Sequence, residues 1–529
     1  MSAILRTVLS ISAASALSRI TGYARTVAQA AFLGTGLVAN AYAVSSLLPN
    51  LIYGLFLGGI IYSIFIPILV ERITSHGEED ARDLVNALIT IIAPLMAVVI
   101  LFAIIFAGPL VDLLTSWNNS AKLSSEEARR TTSLTILLFR VFVLQIFFWS
   151  FGAFATGILN AHRRFFLPLF TPVVFNLFVI ASLVGYFMLN SEYPMLSIYL
   201  LAGVPTLGVA LVTIALLPTV WRLGYKPRIL LGHPALMPAL KLAGPMVLFV
   251  VSSILLQAIS THFASLYNAN ADLGYAFVVF TLPYGIFVIS LETVLMPELS
   301  EKYARGDLEG YRESLSFGLR TMAFLIVPSS IVLIVLSRPI VGLLYERAKF
   351  GNQAAQSVSV LLVAYSTGLL AYSAYFLLVR AFYSRQNTRV PAFLNIGLLV
   401  LYAVLAYGLS EIMGLQAVGL ALALSVANAV FALACLAATR REIKRVQGRR
   451  LLRSLAKMLV AGAVMYAVAW GGTTFFGEGS GLLDRVFILA VVGGASLAAY
   501  LGVAILLRVE EMKSAITLLL RRGDTVTES

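Results

Sequence analysis

The segment SRITGYAR, residues 18–25, places two arginines, Arg19 and Arg25, inside the first long apolar run of the chain. An arginine at the centre of a membrane-spanning helix costs about 2.5–3.5 kcal/mol on insertion scales, so such residues normally face a protein interior or a water-filled cavity. The segment therefore predicts that the first helix lines a polar cavity inside a membrane protein. Ser18 lies on the same stretch and is a further candidate for the cavity wall.

The composition of the chain indicates a helical membrane protein. The 529 residues are 60% hydrophobic and 12% charged, with a mean hydropathy of +0.92. Apolar runs of about 18 residues or more recur along the chain, whereas a transmembrane barrel would show alternating segments of about ten residues. We therefore expect an all-α polytopic fold.

Apolar runs bounded by charged residues, glycine or proline predict about fourteen transmembrane helices. These helices are expected near residues 5–33, 37–70, 84–115, 132–160, 167–188, 196–220, 236–267, 272–302, 315–345, 355–384, 390–409, 414–439, 454–476 and 485–508.

The basic residues predict the orientation of the chain in the membrane. An even number of spans puts both termini on one side, and Lys and Arg concentrate in the connections that share this side. The positive-inside rule therefore predicts cytoplasmic termini. The richest basic patch, Arg440–Lys457, is expected to contact anionic membrane lipids rather than nucleic acid.

Two pairs of segments indicate an internal repeat. PILVER at 67–72, followed by Gly77, resembles PELSEK at 297–302, followed by Gly306. NAHRR at 160–164 and YSRQN at 383–387 form the second pair, and a proline follows each of them. The two offsets are nearly equal, so the halves of the chain are expected to repeat one six-helix topology.

The repeat predicts the domain organisation. Two lobes of six helices, at 1–225 and 226–445, would be related by an axis along the membrane normal. A final helix pair at 446–508 and a cytoplasmic tail at 509–529 would follow.

Polar residues at membrane depth are the candidates for a substrate pathway. Arg19 and Arg25 lie about 120° apart around a helix and suit an anionic group such as a phosphate or pyrophosphate. Asn40, Asn50 and Tyr53 in the second predicted span are candidates for the same cavity. Enzyme signatures such as HExxH or a phosphate-binding glycine loop are missing, so no catalytic residue, cofactor or metal is expected.

Two ionisable residues are candidates for coupling transport to a proton or ion. Glu292 is a further candidate for the substrate cavity, where it would be a counter-ion for Arg19 or Arg25 or a protonatable coupling group. A purely structural ion pair is the alternative. His262 in the seventh predicted span is either a titrating group or a hydrogen-bonded packing residue. Arg338 and Arg380 lie near predicted helix ends or breaks, where snorkelling or helix bridging is expected.

The chain resembles the MurJ (MviN) family of lipid II flippases, within the multidrug/oligosaccharidyl-lipid/polysaccharide exporter superfamily. The matching segments are SRITGYAR at 18–25, LPNL at 48–51, FIPIL at 65–69, ILN at 158–160, GP at 244–245, LMPELS at 295–300, LYER at 344–347, RAFYS at 380–384 and TRVP at 388–391.

This resemblance implies fourteen helices in two lobes, alternating access and a cationic cavity for the pyrophosphate of the lipid. It also implies that the last two helices form a groove for the polyprenyl tail. The chain departs from the family pattern at Asn40, where an aspartate is usual, and at Tyr53 and Gly54, which replace an arginine pair. An apolar residue near Val278 replaces a further arginine, and Glu292 stands where a small residue is usual.

The leading hypothesis is a flippase of the bacterial inner membrane. It would move lipid II, a polyprenyl-pyrophosphate-linked peptidoglycan precursor, from the inner to the outer leaflet. The alternatives are a flippase for another lipid-linked saccharide and a non-transporting relative that serves as a scaffold. The expected partners are the lipid-linked precursor, membrane lipids, and proteins of cell-wall synthesis or division.

Overall fold

The computed structural model describes residues 3–54, 65–443, 447–479 and 481–512, and every secondary-structure element in these ranges is helical. Ten helices in these ranges are long and apolar enough to span a membrane, or twelve if two bent helix pairs each form one span. The all-α polytopic class is confirmed, and the count of fourteen spans stays a prediction. Most of the predicted tail at 509–529 lies outside the described residues.

The chain divides into two compact units. The first unit comprises Met1–Ala271 and Arg347–Gly351, and the second comprises Asp272–Glu346 and Asn352–Ser529. The helices of the first unit are α1 (Ala3–Leu33), α2 (Leu37–Tyr53), α3 (Ile66–Ser75), α4 (Glu78–Ile105), α5 (Ala107–Leu114), α6 (Ser125–Phe142), α7 (Gln145–Ala161), α8 (Phe166–Leu189), α9 (Pro194–Arg222) and α10 (Leu236–Leu266).

The second unit is built from the remaining helices. They are α11 (Asn270–Phe280), α12 (Ile289–Ala304), α13 (Leu308–Val335), α14 (Ser337–Tyr345), α15 (Asn352–Ser366), α16 (Leu369–Tyr383), α17 (Arg389–Tyr407), α18 (Gln416–Ile443), α19 (Gly448–Phe476) and α20 (Leu482–Leu506). A π-helical turn at Tyr284–Val288 precedes α12, and a second one at Gly408–Ile412 follows α17.

Local sequence signals explain where several helices begin. Ser124 and Glu127 form a reciprocal capping box at the start of α6, in which Glu127 Oε2 accepts from the Ser124 amide at 2.9 Å. Asp307 caps α13 by accepting a hydrogen bond from the Gly310 amide at 2.8 Å. These caps satisfy amides that have no partner within the helix.

The repeated sequence segments end in turns with matching backbone conformations. Gly77 and Gly306, which follow the first pair of segments, have φ angles of 91° and 74°. Arg163 and Gln386, at equivalent positions of the second pair, have φ angles of 57° and 59°. Residues other than glycine seldom adopt positive φ, so the repeat extends to backbone geometry.

Helix α10 packs with the first unit, although the predicted lobe boundary at 225/226 placed it in the second lobe. The Ser116 amide donates to Ser265 Oγ at 2.5 Å, and Ser120 Oγ donates to the Leu266 carbonyl at 2.6 Å. These contacts join the carboxyl end of α10 to the segment after α5. The compact unit therefore extends to Ala271. A sequence repeat indicates helix topology, but it gives no information about this packing.

The last two helices, α19 and α20, pack on α13 of the same unit. Met458, Met465 and Tyr500 are buried in this interface with Phe324. The Tyr500 hydroxyl donates to the Phe324 carbonyl at 3.1 Å. The polar end of the tyrosine is thereby satisfied inside an apolar interface.

A buried ion cluster ties the same helices together at one end. Arg320 Nη1 lies 2.6 Å from Glu511 Oε1 and 2.8 Å from Glu510 Oε2. Arg450 also binds Glu510, at 2.7 Å, and Ser454 Oγ donates to Glu511 at 2.8 Å. The hydrogen bond from Arg450 is the main cause that lowers the pKa of Glu510.

A second ion cluster joins α14 to α20. Glu346 Oε2 accepts from Arg338 at 2.9 Å and from Arg485 at 2.8 Å. Burial acts to raise the pKa of Glu346, but the hydrogen bonds and charges of both arginines outweigh it and leave the pKa below its ordinary value. The helix bridging expected of Arg338 is confirmed.

Replacing Arg320 by alanine should destabilise the protein strongly. The side chains of Arg320 and Glu511 are 5% and 3% exposed, so the substitution would leave a buried carboxylate without its cation. Breaking such a pair costs about 3–5 kcal/mol. The midpoint of thermal unfolding in detergent measures the loss.

Arg453→Ala is the matched control, because Arg453 is exposed on α19 and forms no ion pair within the described part of the chain. Equal effects of the two substitutions would show that the Arg320 cluster does not hold the final helix pair.

Candidate functional site

The segment Ser18–Arg25 lies on α1, where part of it packs against α8. Asn176 Nδ2 donates to Thr21 Oγ1 at 3.1 Å and to the Ser18 carbonyl at 3.4 Å. The amide of Asn176 therefore fixes the rotation of α1 at the level of the arginines.

The two arginines of α1 have different surroundings. The guanidinium of Arg25 is half-buried and lies 6.0 Å from the ring centroid of Phe175, a distance at which a cation is still attracted to an aromatic face. Arg19 is exposed. Six residues separate them, so they project from neighbouring faces of the helix.

A cavity of about 400 Å³ opens in the first unit. It is bounded by α2, α7, α8 and α9, and its largely apolar wall carries several polar and aromatic side chains. The polar lining residues are Asn50, Tyr53, Thr156, Thr171 and Thr213, and the aromatic ones are Trp149 and Phe175.

Phe175 connects Arg25 to this cavity, because its ring contacts the guanidinium and also forms part of the wall. The Tyr53 and Trp149 rings meet edge to face at 5.8 Å on the wall. Asn50 is exposed, and its Nδ2 donates to the Ser46 carbonyl at 2.9 Å. The structure thus brings Asn50 and Tyr53 to one cavity, and it places Arg25 against Phe175 of the same wall.

Asn40 lies elsewhere and is completely buried. Its Nδ2 donates to the carbonyls of Thr35 and Gly36 at 3.0 and 3.1 Å, and its Oδ1 accepts from the Ala271 amide at 3.0 Å. Backbone groups therefore occupy both ends of the amide, which joins the start of α2 to the start of α11.

His262 is half-buried on α10, and its Nε2 lies 2.8 Å from Ser116 Oγ. This contact agrees with one of the two interpretations of His262, that of a hydrogen-bonded packing residue. The contact belongs to the same junction as the bonds of Ser265 and Leu266.

Glu292 is buried in the second unit at the start of α12. Its Oε2 lies 3.6 Å from Nε of Arg380, while its Oε1 has no hydrogen-bond partner among the described residues. Arg380 is the cation that faces Glu292, and its own side chain is 56% exposed. The bridging expected of Arg380 is confirmed, since it joins α16 to α12.

Sequence reasoning missed the aromatic residues near this pair. The rings of Tyr284 and Tyr372 meet edge to face at 5.2 Å, and Phe376 lies against both. Tyr284 belongs to the π-helical turn before α12. Such turns are frequent at functional sites, but the sequence alone gives no signal for one.

The described ranges were compared with the side-chain arrangements that bind metal ions. No group of three or more His, Cys, Asp or Glu side chains there is arranged to hold a metal ion. The site is built from arginine, amide, hydroxyl and aromatic groups, which bind anions and sugars by hydrogen bonds and stacking.

A family profile described as "Lipid II flippase MurJ" matches residues 29–490. The chain belongs to the MurJ family. It is 28% identical over 526 residues to a "Probable lipid II flippase MurJ" from Vibrio cholerae, covering 97% of this chain and 98% of that protein. It is 27% identical over 508 residues to a "Lipid II flippase MurJ" from Burkholderia cenocepacia, covering 94% of this chain and 96% of the relative.

Solved structures resemble the fold. A structure described as lipid II flippase MurJ in an inward closed conformation matches with a TM-score of 0.76 at 22% identity, covering 94% of this chain and 98% of that one. An inward-facing MATE family transporter of the MOP superfamily matches with a TM-score of 0.60 at 14% identity, covering 85% and 96%. The MurJ-type fold is therefore shared across nearly the whole chain.

Replacing Asn40 by alanine should destabilise this MurJ family member. The Thr35 carbonyl and the buried Ala271 amide would lose the bonds made by the Asn40 side chain, while the Gly36 carbonyl would keep its bond from the Asn40 backbone amide. Each buried group left without a hydrogen bond costs about 1–3 kcal/mol. Thermal unfolding measures the loss, and Asn50→Ala, at an exposed position, should change stability by about 0.5 kcal/mol or less. Normal stability with lost transport in Asn40→Ala would contradict the structural role.

Proposed function

We propose that the chain is a lipid II flippase of the bacterial inner membrane that works by alternating access. Family membership over most of the sequence supports this function, and the observation that carries it is the position of Arg25 against Phe175, an aromatic residue of the cavity wall. A flippase needs no covalent chemistry. It replaces the water around a polar headgroup while the lipid tail stays in the membrane.

The cavity supplies the groups that such a headgroup requires. Arg25, placed by Phe175, and the exposed Arg19 offer planar guanidinium donors that match phosphate oxygens. Asn50 and the threonines of the wall offer hydrogen bonds to sugar hydroxyls, and Trp149 offers an aromatic face. A volume of about 400 Å³ accommodates part of the headgroup.

The departures from the family pattern support a second candidate function, the flipping of another lipid-linked saccharide. Tyr53, on the cavity wall, stands where the family usually has an arginine, and an apolar residue near Val278 in α11 replaces another. A cavity with fewer cations would suit a lipid-linked saccharide with less anionic charge. Assays with lipid II and with a lipid-linked saccharide that carries a single phosphate distinguish the two. A scaffold that does not transport would fail with both.

Glu292 is our proposed coupling group, in preference to His262. Its carboxylate is buried, one oxygen has no hydrogen-bond partner in the described part of the chain, and the ion pair to Arg380 is long at 3.6 Å. Such a carboxylate can take up or release a proton when its surroundings change. His262 already has Ser116 as a short hydrogen-bond partner.

The remaining assignments follow the sequence predictions. We propose cytoplasmic termini, two six-helix lobes at 1–225 and 226–445, and a polyprenyl groove on the final helix pair. Exposed apolar residues on that pair, among them Leu459, Trp470 and Phe487, support the groove. Protein partners would come from cell-wall synthesis or division.

Arg19→Ala and Arg25→Ala should each abolish or strongly reduce flipping. A hydrogen bond to a charged group contributes about 1.5–3 kcal/mol, which corresponds to about a 10- to 150-fold loss of headgroup affinity. Complementation of a strain depleted of its lipid II flippase tests this, together with a leaflet-specific assay of lipid II at equal expression.

The control for this experiment is Arg222→Ala. Arg222 is exposed in the last turn of α9 and, among the described residues, has no cation–π contact with the cavity wall such as Arg25 makes with Phe175. Normal rescue by both α1 variants would rule out a phosphate-binding role, and failure of a well-expressed wild type would favour another lipid-linked saccharide or a scaffold.

Glu292→Gln should remove the dependence of flipping on a proton gradient. Glutamine keeps the shape of the side chain but cannot exchange a proton. Flipping into proteoliposomes, measured with and without an imposed pH difference, compares the variant with wild type. Glu411→Gln, at an exposed glutamate of the same unit, is the control. A gradient response that survives in Glu292→Gln would leave Glu292 only as the counter-ion of Arg380.

A further inference from the structure

The turn between α16 and α17 holds a buried arginine. The side chain of Arg385 is 2% exposed. Its guanidinium packs 4.4 Å from the Phe382 ring centroid and 5.7 Å from that of Tyr311, and its Nε donates to the Ala381 carbonyl at 3.2 Å. These contacts fix the plane of the guanidinium.

The outer nitrogens of this guanidinium are poorly satisfied. Nη1 lies 3.1 Å from Glu442 Oε2, but neither Nη1 nor Nη2 has a hydrogen-bond partner among the described residues. The Glu442 carboxylate is shared, because Asn387 Nδ2 donates to its other oxygen at 2.9 Å. Buried donors without acceptors are costly, so their persistence requires an explanation.

The internal repeat shows that the turn itself does not need these nitrogens. His162 occupies the equivalent position in the first unit, and its Nδ1 lies 2.9 Å from the carbonyl of Ile158, four residues earlier. Arg385 Nε makes the corresponding bond to Ala381. Both turns continue with a residue at positive φ, so one side-chain bond closes the turn in either unit. The Nη groups of Arg385 are additional to this structure.

The turn borders a cavity of about 580 Å³. Arg385, Asn387, Thr388 and Arg389 line it, together with Glu442. Arg389 is exposed and forms no ion pair within the described ranges. Helix α17 begins at Arg389, so the positive end of its dipole lies at the cavity.

We propose that this cavity binds a phosphate group. Arg385 supplies a guanidinium held in a fixed plane, Arg389 supplies a second cation, Thr388 supplies a hydroxyl, and the helix terminus adds partial positive charge. The carboxylate of Glu442 reduces the positive charge of the site, which suits a phosphate monoester or diester better than a polyanion. The site lies in the second unit and does not depend on the proposed transport function.

Two sources of phosphate share this chemistry. The turn lies on the side that the positive-inside rule predicts to be cytoplasmic, where both lipid headgroups and soluble phosphate compounds are present. The experiment therefore needs one arm for each source.

The first arm measures binding of inorganic phosphate to the full-length protein in detergent by calorimetry at constant ionic strength. Arg389→Gln and Arg385→Gln should each weaken binding at least about 10-fold. Arg305→Gln is the matched control, because Arg305 is 74% exposed on the same unit and pairs only with Glu301 within the described residues. Arg389 is exposed, so its variant tests the site even where Arg385→Gln impairs folding.

The second arm measures retention of phosphatidylglycerol against phosphatidylcholine by native mass spectrometry. Selective retention by wild type and Arg305→Gln, but not by Arg389→Gln, identifies a lipid headgroup as the ligand. Phosphate binding without selective retention identifies a soluble phosphate compound. The proposal is overturned if neither ligand binds, or if Arg389→Gln behaves like Arg305→Gln in both arms.

Discussion

Charge inside an apolar environment must be paired, hydrated or exposed to a ligand, and this constraint organises the whole molecule. Arg320 is buried and meets two carboxylates, so it holds helices together. Arg25 is half-buried and has an aromatic ring and a polar cavity beside it. Arg385 is as buried as Arg320 but leaves its outer nitrogens without hydrogen bonds among the described residues. The partner of each arginine, rather than its depth alone, separates structural roles from binding roles.

The internal repeat also distinguishes the side-chain bond that closes a turn from side-chain groups that are available for binding. Equivalent turns in the two units share positive φ angles at Arg163 and Gln386 and the same side-chain bond to a carbonyl four residues earlier. The residue that makes this bond is His162 in one unit and Arg385 in the other. Duplication thus preserves the turn, while the side chain that closes it is free to gain a second function. The site residues therefore need not obey the repeat.

Much of the fold was predictable from sequence, because long apolar runs with charged boundaries indicate membrane-spanning helices directly. The arginines of Ser18–Arg25 predicted a cavity, and this stays a prediction; in the described structure Arg25 lies against Phe175, which lines one. Packing was harder to predict. The amide of Asn40 is committed to backbone groups, and α10 joins the first unit through Ser116 and Ser265, because hydrogen bonds between distant segments leave no periodic signal. The pairing of Glu292 with Arg380 was missed for the same reason, although each residue was recognised.

The number of cations in the cavity bears on transport as well as on recognition. A carrier must bind its cargo well enough to load it and weakly enough to release it. Each charge-assisted hydrogen bond contributes about 1.5–3 kcal/mol, so every added arginine slows release as it strengthens binding. With Tyr53 on the wall and an apolar residue near Val278 in place of arginines, the proposed binding would rely more on Arg19 and Arg25. Aromatic and hydroxyl groups then contribute the rest through contacts that are individually weak. Such a cavity would hold the sugar as much as the phosphate, and its selectivity would depend on shape more than on charge.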